Sequence, residues 1–223
     1  MENIIEMKSY TFRDCNLELL ETLFGLEETT YSESLDKWLK EKAEISDLEK
    51  AMILLYQRNL VYNLFSWNEQ ELAINFIGPL IGMLQFTSKE FNLFAERTLE
   101  ETLQSADNED VRLSGKPDSL IASGRRSPKI PFFSFHEHKP ETEGGGDPGG
   151  QVLAAMLVGQ AKNKDYDKPM YGCYVIGQNW YFLVLENKKY TIAPPFAATS
   201  KEVFDIYRVL KALKNSIEAR LGL

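Results

Sequence analysis

The run Phe132-Phe133-Ser134-Phe135-His136-Glu137-His138-Lys139 constrains the fold more than any other stretch of the chain. Aromatic residues at this density favour a strand, in which successive side chains point to opposite faces. On that pattern Phe133, Phe135, Glu137 and Lys139 share one face, and Ser134, His136 and His138 the other. An apolar stripe that ends in an acid and an amine is costly unless each charge is paired or binds something. Pro131 predicts that the start of this strand lies at an edge. A chain built round such a strand has a sheet at its core, and the remaining sequence must supply its neighbours and cover.

Downstream, the Gly-rich segment 142–150 predicts a loop, and residues 151–163 a helix with Val152, Met156 and Gly159 on one side. Residues 170–193 read as three strands, split by Gly177-Gln178-Asn179 and by Asn187-Lys188. Thr199 and Glu202 have capping-box spacing, after which Ile206, Leu210, Leu213, Ile217 and Leu221 line one stripe of a C-terminal helix. Residues 110–123 hold short β-rich runs around Gly115 and Pro117.

Residues 1–105, in contrast, read as helical. Helices are predicted over 16–24, closed by Gly25, and over 34–42. Ser46 with Glu49, and Ser66 with Glu69, have capping-box spacing at the start of two more. In the second, Leu72, Phe76, Leu80 and Leu84 mark a buried face, and Pro79 should bend or locally break the helix. Phe91–Leu103 reads as a further helix. Helices, then strands, a helix, strands and a helix give an α/β chain with a sheet flanked by helices.

At 223 residues the chain is sized for one domain, with room for a helical appendage. It carries 33 acidic and 25 basic residues, a net charge of −8, which argues against coating nucleic acid through bulk electrostatics. A local basic face or a metal-bearing site is compatible with that charge, so function has to be read from a site. No apolar run reaches the ~18–20 residues of a membrane helix, and the first residues are acidic where a signal peptide is basic. Two cysteines, Cys15 and Cys173, give no disulfide framework and no zinc cluster. A cytoplasmic protein with no membrane contact is expected.

Pro117-Asp118, followed by Glu137-x-Lys139 on a strand, resembles the PD-(D/E)XK nuclease superfamily, the restriction-endonuclease-like fold. The segment Asn68-Glu69-Gln70-Glu71, leading an apolar helix through Pro79-Leu80, is similar to the leading helix of that fold. It resembles most the nuclease domain of type I restriction subunits and related small bacterial proteins. On that resemblance Glu71 aligns with a family glutamate, and Gln151 with a glutamine that often follows the lysine motif. The similarity spans roughly Trp67 to Ala161. It implies a restriction-endonuclease-like mixed central sheet flanked by helices, with residues 1–66 as an N-terminal helical extension and 67–223 as the core. It also implies metal-dependent hydrolysis of phosphodiester bonds in nucleic acid, with DNA as the expected partner, and leaves a homodimer open.

The chemistry of these residues agrees. Asp118 and Glu137 suit Mg²⁺ or Mn²⁺, hard ions that prefer oxygen ligands, with the carbonyl of His138 as an additional ligand. Lys139 would orient or deprotonate the attacking water, its pKa lowered by the metal and by partial burial. Glu71 would complete the acidic cluster and Gln151 would hold water or phosphate. Blander readings exist for each: an edge-strand ion pair for Glu137 and Lys139, a turn residue for Asp118, a first-turn acid for Glu71, a helix start for Gln151. His136 and His138, the only histidines, also suit a transition metal, but no third histidine accompanies them. The Gly-rich loop lacks the Gly-Lys-Ser/Thr of a phosphate-binding loop. Trp180-Tyr181-Phe182 reads as core strand before it reads as a base-stacking platform. A different class of function is a non-catalytic nucleic-acid or protein interaction module that keeps the nuclease fold.

Overall fold

A computed structural model describes residues 7–142 and 146–223. A short strand, β1 (Lys8–Thr11), leads through a 3-10 turn into α1 (Leu17–Phe24). Asn16 caps that helix by accepting from the Leu19 amide at 2.8 Å, and Gly25 ends it in the left-handed conformation, as its position predicts. β2 (Glu27–Glu28) and α2 (Glu33–Lys40) follow, then α3 (Asp47–Asn63), opened by the expected Ser46–Glu49 capping box.

α4 (Glu69–Leu72) and α5 (Gly78–Gly82) are two halves of one helix, joined by a π-turn over Ala73–Ile77. Pro79 has no amide hydrogen for the helical ladder, and one wide turn just ahead of it absorbs the defect without a break. The Gly78 amide donates to the Ala73 carbonyl. A Cβ on Gly78 would stand 2.8 Å from that oxygen, so the wide turn needs a glycine there.

Strands dominate from residue 91 onward: β3 (Phe91–Ala95), β4 (Leu99–Gln104), β5 (Asp110–Gly115), β6 (Ser119–Ser123) and β7 (Lys129–Lys139). α6 (Pro148–Asn163) then crosses to β8 (Met170–Ile176), which is followed by β9 (Asn179–Glu186), β10 (Lys189–Ile192), β11 (Phe196–Ala197) and α7 (Val203–Leu221). The main sheet has eight strands along the order β2-β10-β9-β8-β7-β6-β3, with β11 pairing β9. β7 runs parallel to β8 and β2 to β10, and the other pairs are antiparallel. A smaller sheet has the order β1-β5-β4.

Both faces of the main sheet are covered. One core joins it to α2, α3, the kinked helix and α7; Trp180, Phe182 and Val184 of β9 point there. The other joins it to α1, α6 and the small sheet, and receives Leu183 and Leu185. The chain is therefore an α/β protein with a mixed sheet flanked by helices, as its element order predicts. Residues ahead of 67 are woven into both cores: Trp38, Ile53 and Leu60 into the first, Phe12, Leu20 and Phe24 into the second. β1 and β2 each add a strand to a sheet. No helix among the described residues is long and apolar enough to cross a membrane.

Several local expectations are corrected. Phe91–Leu103 forms β3 and β4, because Phe91 and Phe94 are drawn into opposite cores, which a strand allows and a helix stripe does not. The helix expected from Gln151 starts at Pro148, whose missing amide hydrogen suits a first helical position. Gly149 and Gly150 thus belong to the helix, and Gly150 packs so close that a Cβ would lie 2.4 Å from Asn16 Cα. Residues 143–145 of the expected Gly-rich loop lie outside the described residues. Thr199 does not cap α7; its hydroxyl donates to Gln178, while Ser200 Oγ accepts from the Glu202 amide at 3.0 Å. Pairing of β7 with β6 slips between Ile121 and Ala122, so Phe133 joins the core under α7 while Phe132 and Phe135 stack in the other. Phe133 and Phe135 therefore face opposite ways, and alternation resumes from Phe135. Pro131 lies ahead of Ser134, where β8 begins to pair, so the start of β7 is at an edge as expected, with Asn163 accepting from the Phe132 amide and donating to its carbonyl, each at 2.8 Å.

Candidate active site

Asp118, Glu137, His138 and Lys139 come together at one end of the sheet. Asp118 sits between Pro117 and the first residue of β6, and β6 pairs with β7 so that Ser119 lies opposite His136. This register brings Asp118 beside His138. Asp118 Oδ2 accepts from the His138 amide at 2.8 Å and lies 2.9 Å from its Nδ1. Lys139 ends the strand, and its ammonium bridges Glu69 Oε2 at 2.9 Å and Glu137 Oε1 at 3.5 Å.

The second glutamate of the kinked helix, Glu71, is not part of this group. Asn68, not Ser66, caps α4: its side chain accepts from the Glu71 amide, and the Glu71 carboxylate accepts from the Asn68 amide, both at 2.9 Å. Glu71 is exposed and spent on the cap, while Glu69 is free to turn toward Lys139. Ser66-Glu69 and Asn68-Glu71 have the same spacing and compete for one helix start. Had the second pair been given the cap, Glu69 would have been left as the acid. Gln151 is buried in the first turn of α6, with its amide nitrogen against Gly146.

Electrostatics mark the cluster as rich in negative charge. Burial and the nearby charge of Asp118 push the Glu137 carboxyl up to about 7, against the opposing pull of Lys139. Burial would also raise Asp118, but hydrogen bonds and charge from His138, with Lys139 behind, outweigh it and hold the carboxyl below its usual range. Burial alone would lower Lys139; its hydrogen bond to Glu69 and the charges of Glu137, Glu69 and Asp118 reverse this and raise it. The expectation of a lowered lysine pKa is therefore corrected for the metal-free chain: the amine is a cation held by carboxylates.

The two histidines part company. His136 is buried with both ring nitrogens engaged, Nδ1 with Ser119 Oγ and Nε2 with Ser134 Oγ, each at 3.0 Å. Burial pushes it down to about 4, so it is a neutral core residue. Only His138 remains beside the acids. Ligand atoms from Glu69, Asp118 and the His138 ring all lie within 4.8 Å of one another, a span that one metal ion can bridge. The His138 ring is thus one candidate ligand of such a site. Both cysteines are free and buried; Cys173 lies opposite His136 in the pairing of β7 with β8.

No protein-family model and no curated protein matches the sequence. Among solved structures, the cryo-EM structure of a DrdV–DNA complex is similar over 73% of this chain, with 12% identity and a TM-score of 0.38. The chain spans 13% of that chain's length. At this score the likeness carries no argument about fold or function.

Proposed function

We propose that this chain has a restriction-endonuclease-like core and hydrolyses phosphodiester bonds, with DNA as substrate and a divalent cation as cofactor. The observation that carries this reading is the meeting of Asp118, Glu137 and Lys139 at one end of the sheet, joined by Glu69 from the kinked helix. Asp118, Glu69 and the His138 ring would hold the cation, with the Glu137 carboxyl adjoining. The donor set fits: burial, with the neighbouring charge of Asp118, raises Glu137 to about 7, and a cation among these carboxylates would offset both. An imidazole beside carboxylates suits Mn²⁺ better than Mg²⁺, whose preference is all oxygen. When bound, the cation supplies charge neutralisation at the phosphate and a more acidic water.

The residues themselves divide the remaining work. Lys139, held as an ammonium by Glu69 and Glu137, binds a phosphate oxygen and orients the attacking water. Asp118, fixed by the His138 amide, stays ionised and presents its carboxylate toward Glu69 and the His138 ring. Purified chain with Mn²⁺ is expected to nick supercoiled plasmid. Lys139→Ala and Asp118→Asn should each lower the rate by about a hundredfold or more. Nicking at the unmodified rate in Lys139→Ala would overturn the role of that lysine.

A second reading is an interaction module that keeps the fold without turnover. Saturation of Lys139 by two glutamates favours it, since a closed ion-pair network needs no ligand. Calorimetry decides between the two: heat of Mn²⁺ binding that is lost in Asp118→Asn supports the nuclease, and no binding supports the module.

A further inference from the structure

Between the kinked helix and the sheet, bordered at one end by Asp118, Glu137 and His138 of the acidic cluster, lies a cavity of about 190 Å³. Its helix wall is formed by Ala73 and Ile77 of the π-turn with Gly78 and Ile81 of α5. The sheet wall includes Val175 and Trp180, and Trp180 is 1% exposed. Its indole Nε1 has no acceptor among the described residues, whereas the other buried polar side chains of this wall are satisfied. An unmet buried donor costs about 1–3 kcal/mol, and π-turns concentrate at functional sites.

We infer that this cavity binds a small neutral molecule of one ring carrying a single hydrogen-bond acceptor, to which Trp180 Nε1–H donates. Size sets the ring: an apolar cavity of about 150 Å³ holds benzene. Chemistry sets the rest. The walls are mainly apolar, and the polar groups that border them are engaged: His136 by two serines, Asp118 by His138, and the Glu137 carboxyl by the Lys139 ammonium at 3.5 Å. A charged ligand would lose its hydration without a partner. Water alone needs two to four polar partners in such a place and finds one free donor. Occupancy requires no cation, so this inference stands or falls apart from the nuclease reading.

Acetophenone and α-methylstyrene, alike in shape but differing by the carbonyl, test it in the absence of metal. Calorimetry on the unmodified chain is expected to show saturable binding of both, with acetophenone tighter by about three- to tenfold. In a ¹⁵N-labelled sample acetophenone should shift one indole N–H resonance, the one that disappears in Trp180→Phe. That variant should bind the two molecules equally. Absence of binding, equal affinities in the unmodified chain, or a preference that survives Trp180→Phe overturns the assignment. Should the variant fail to fold, the affinity ratio in the unmodified chain decides alone.

Discussion

Against α6 the central sheet is packed to contact. Every residue from Pro148 to Gln160 is buried, and glycines set the spacing. A Cβ on Gly159 would meet the Phe135 ring at 2.5 Å, and one on Gly172 would meet Met156 Sδ at 2.4 Å. Against the kinked helix the same sheet is not so filled. That face holds the π-turn, a cavity, a buried histidine between two serines and an indole without an acceptor. Each face buries a continuous apolar cluster, so the contrast is one of packing and polarity, not of hydrophobic content. A close-packed face fixes β7 as a rigid rail, since interiors at crystal-like density resist displacement. The looser face leaves room at the end of that rail for acids, an amine and a ligand.

The sharpest way to break this contrast is to overfill each face. Gly150→Ala drives a methyl into the Asn16 backbone and is expected to destabilise by about 2–3 kcal/mol, lowering the melting temperature by roughly 5–10 °C. A neutral result by thermal melting would show that the α6 face is not close-packed.

Next in size is the division of labour within the first turn of α4. Glu69→Gln should lower Mn²⁺-dependent nicking by about tenfold, while Glu71→Gln, which can still accept from the Asn68 amide, should leave it unchanged. The reverse order in a plasmid assay would return Glu71 to the site.

A smaller effect concerns pH. α3 and α7, on the looser face, are clasped by Glu49, which accepts from Tyr207 Oη and Lys211 Nζ, each at 2.8 Å. Burial opposes ionisation of Glu49, but these partners and the Ser46 cap outweigh it and hold the carboxyl down at about 2. Its folded pKa lies below its ordinary 4.5, so the stabilisation is complete above that value and is lost as pH falls from 4.5 towards 2. After allowance for solvent screening it amounts to about 1 kcal/mol. Hydrogen exchange at pH 3 should quicken in α3 ahead of α6, and Glu49→Gln should remove the difference between pH 3 and pH 7. Smallest of all, Val175→Ile adds a methylene to the cavity wall and should change stability by no more than about 0.5 kcal/mol. A penalty comparable with that of Gly150→Ala would mean that the two faces are equally full.

Much of the local structure was legible because its causes are local. Asparagine or glycine beside a helix, the Ser46–Glu49 box, the turns before Asn179 and Lys189 and the stripe of α7 each depend on a few neighbouring residues. Phe91–Leu103 was misread because apolar residues at helical intervals also serve a strand that feeds two cores. The two faces of Phe133 and Phe135 depend on a slipped pairing with β6, which no residue of β7 announces.

The candidate site divides in the same manner. Asp118, Glu137 and Lys139 could be named as candidates because the resemblance rests on Pro-Asp and Glu-x-Lys, patterns carried by short segments. Whether Glu69 or Glu71 joins them could not, because Ser66 and Asn68 are both competent caps with a glutamate three positions on. In the folded chain Asn68 takes the cap with Glu71, and Glu69 meets Lys139. So too the charge on Lys139, the neutrality of His136 and the isolation of the Trp180 indole follow from burial and through-space neighbours, which only the folded chain defines.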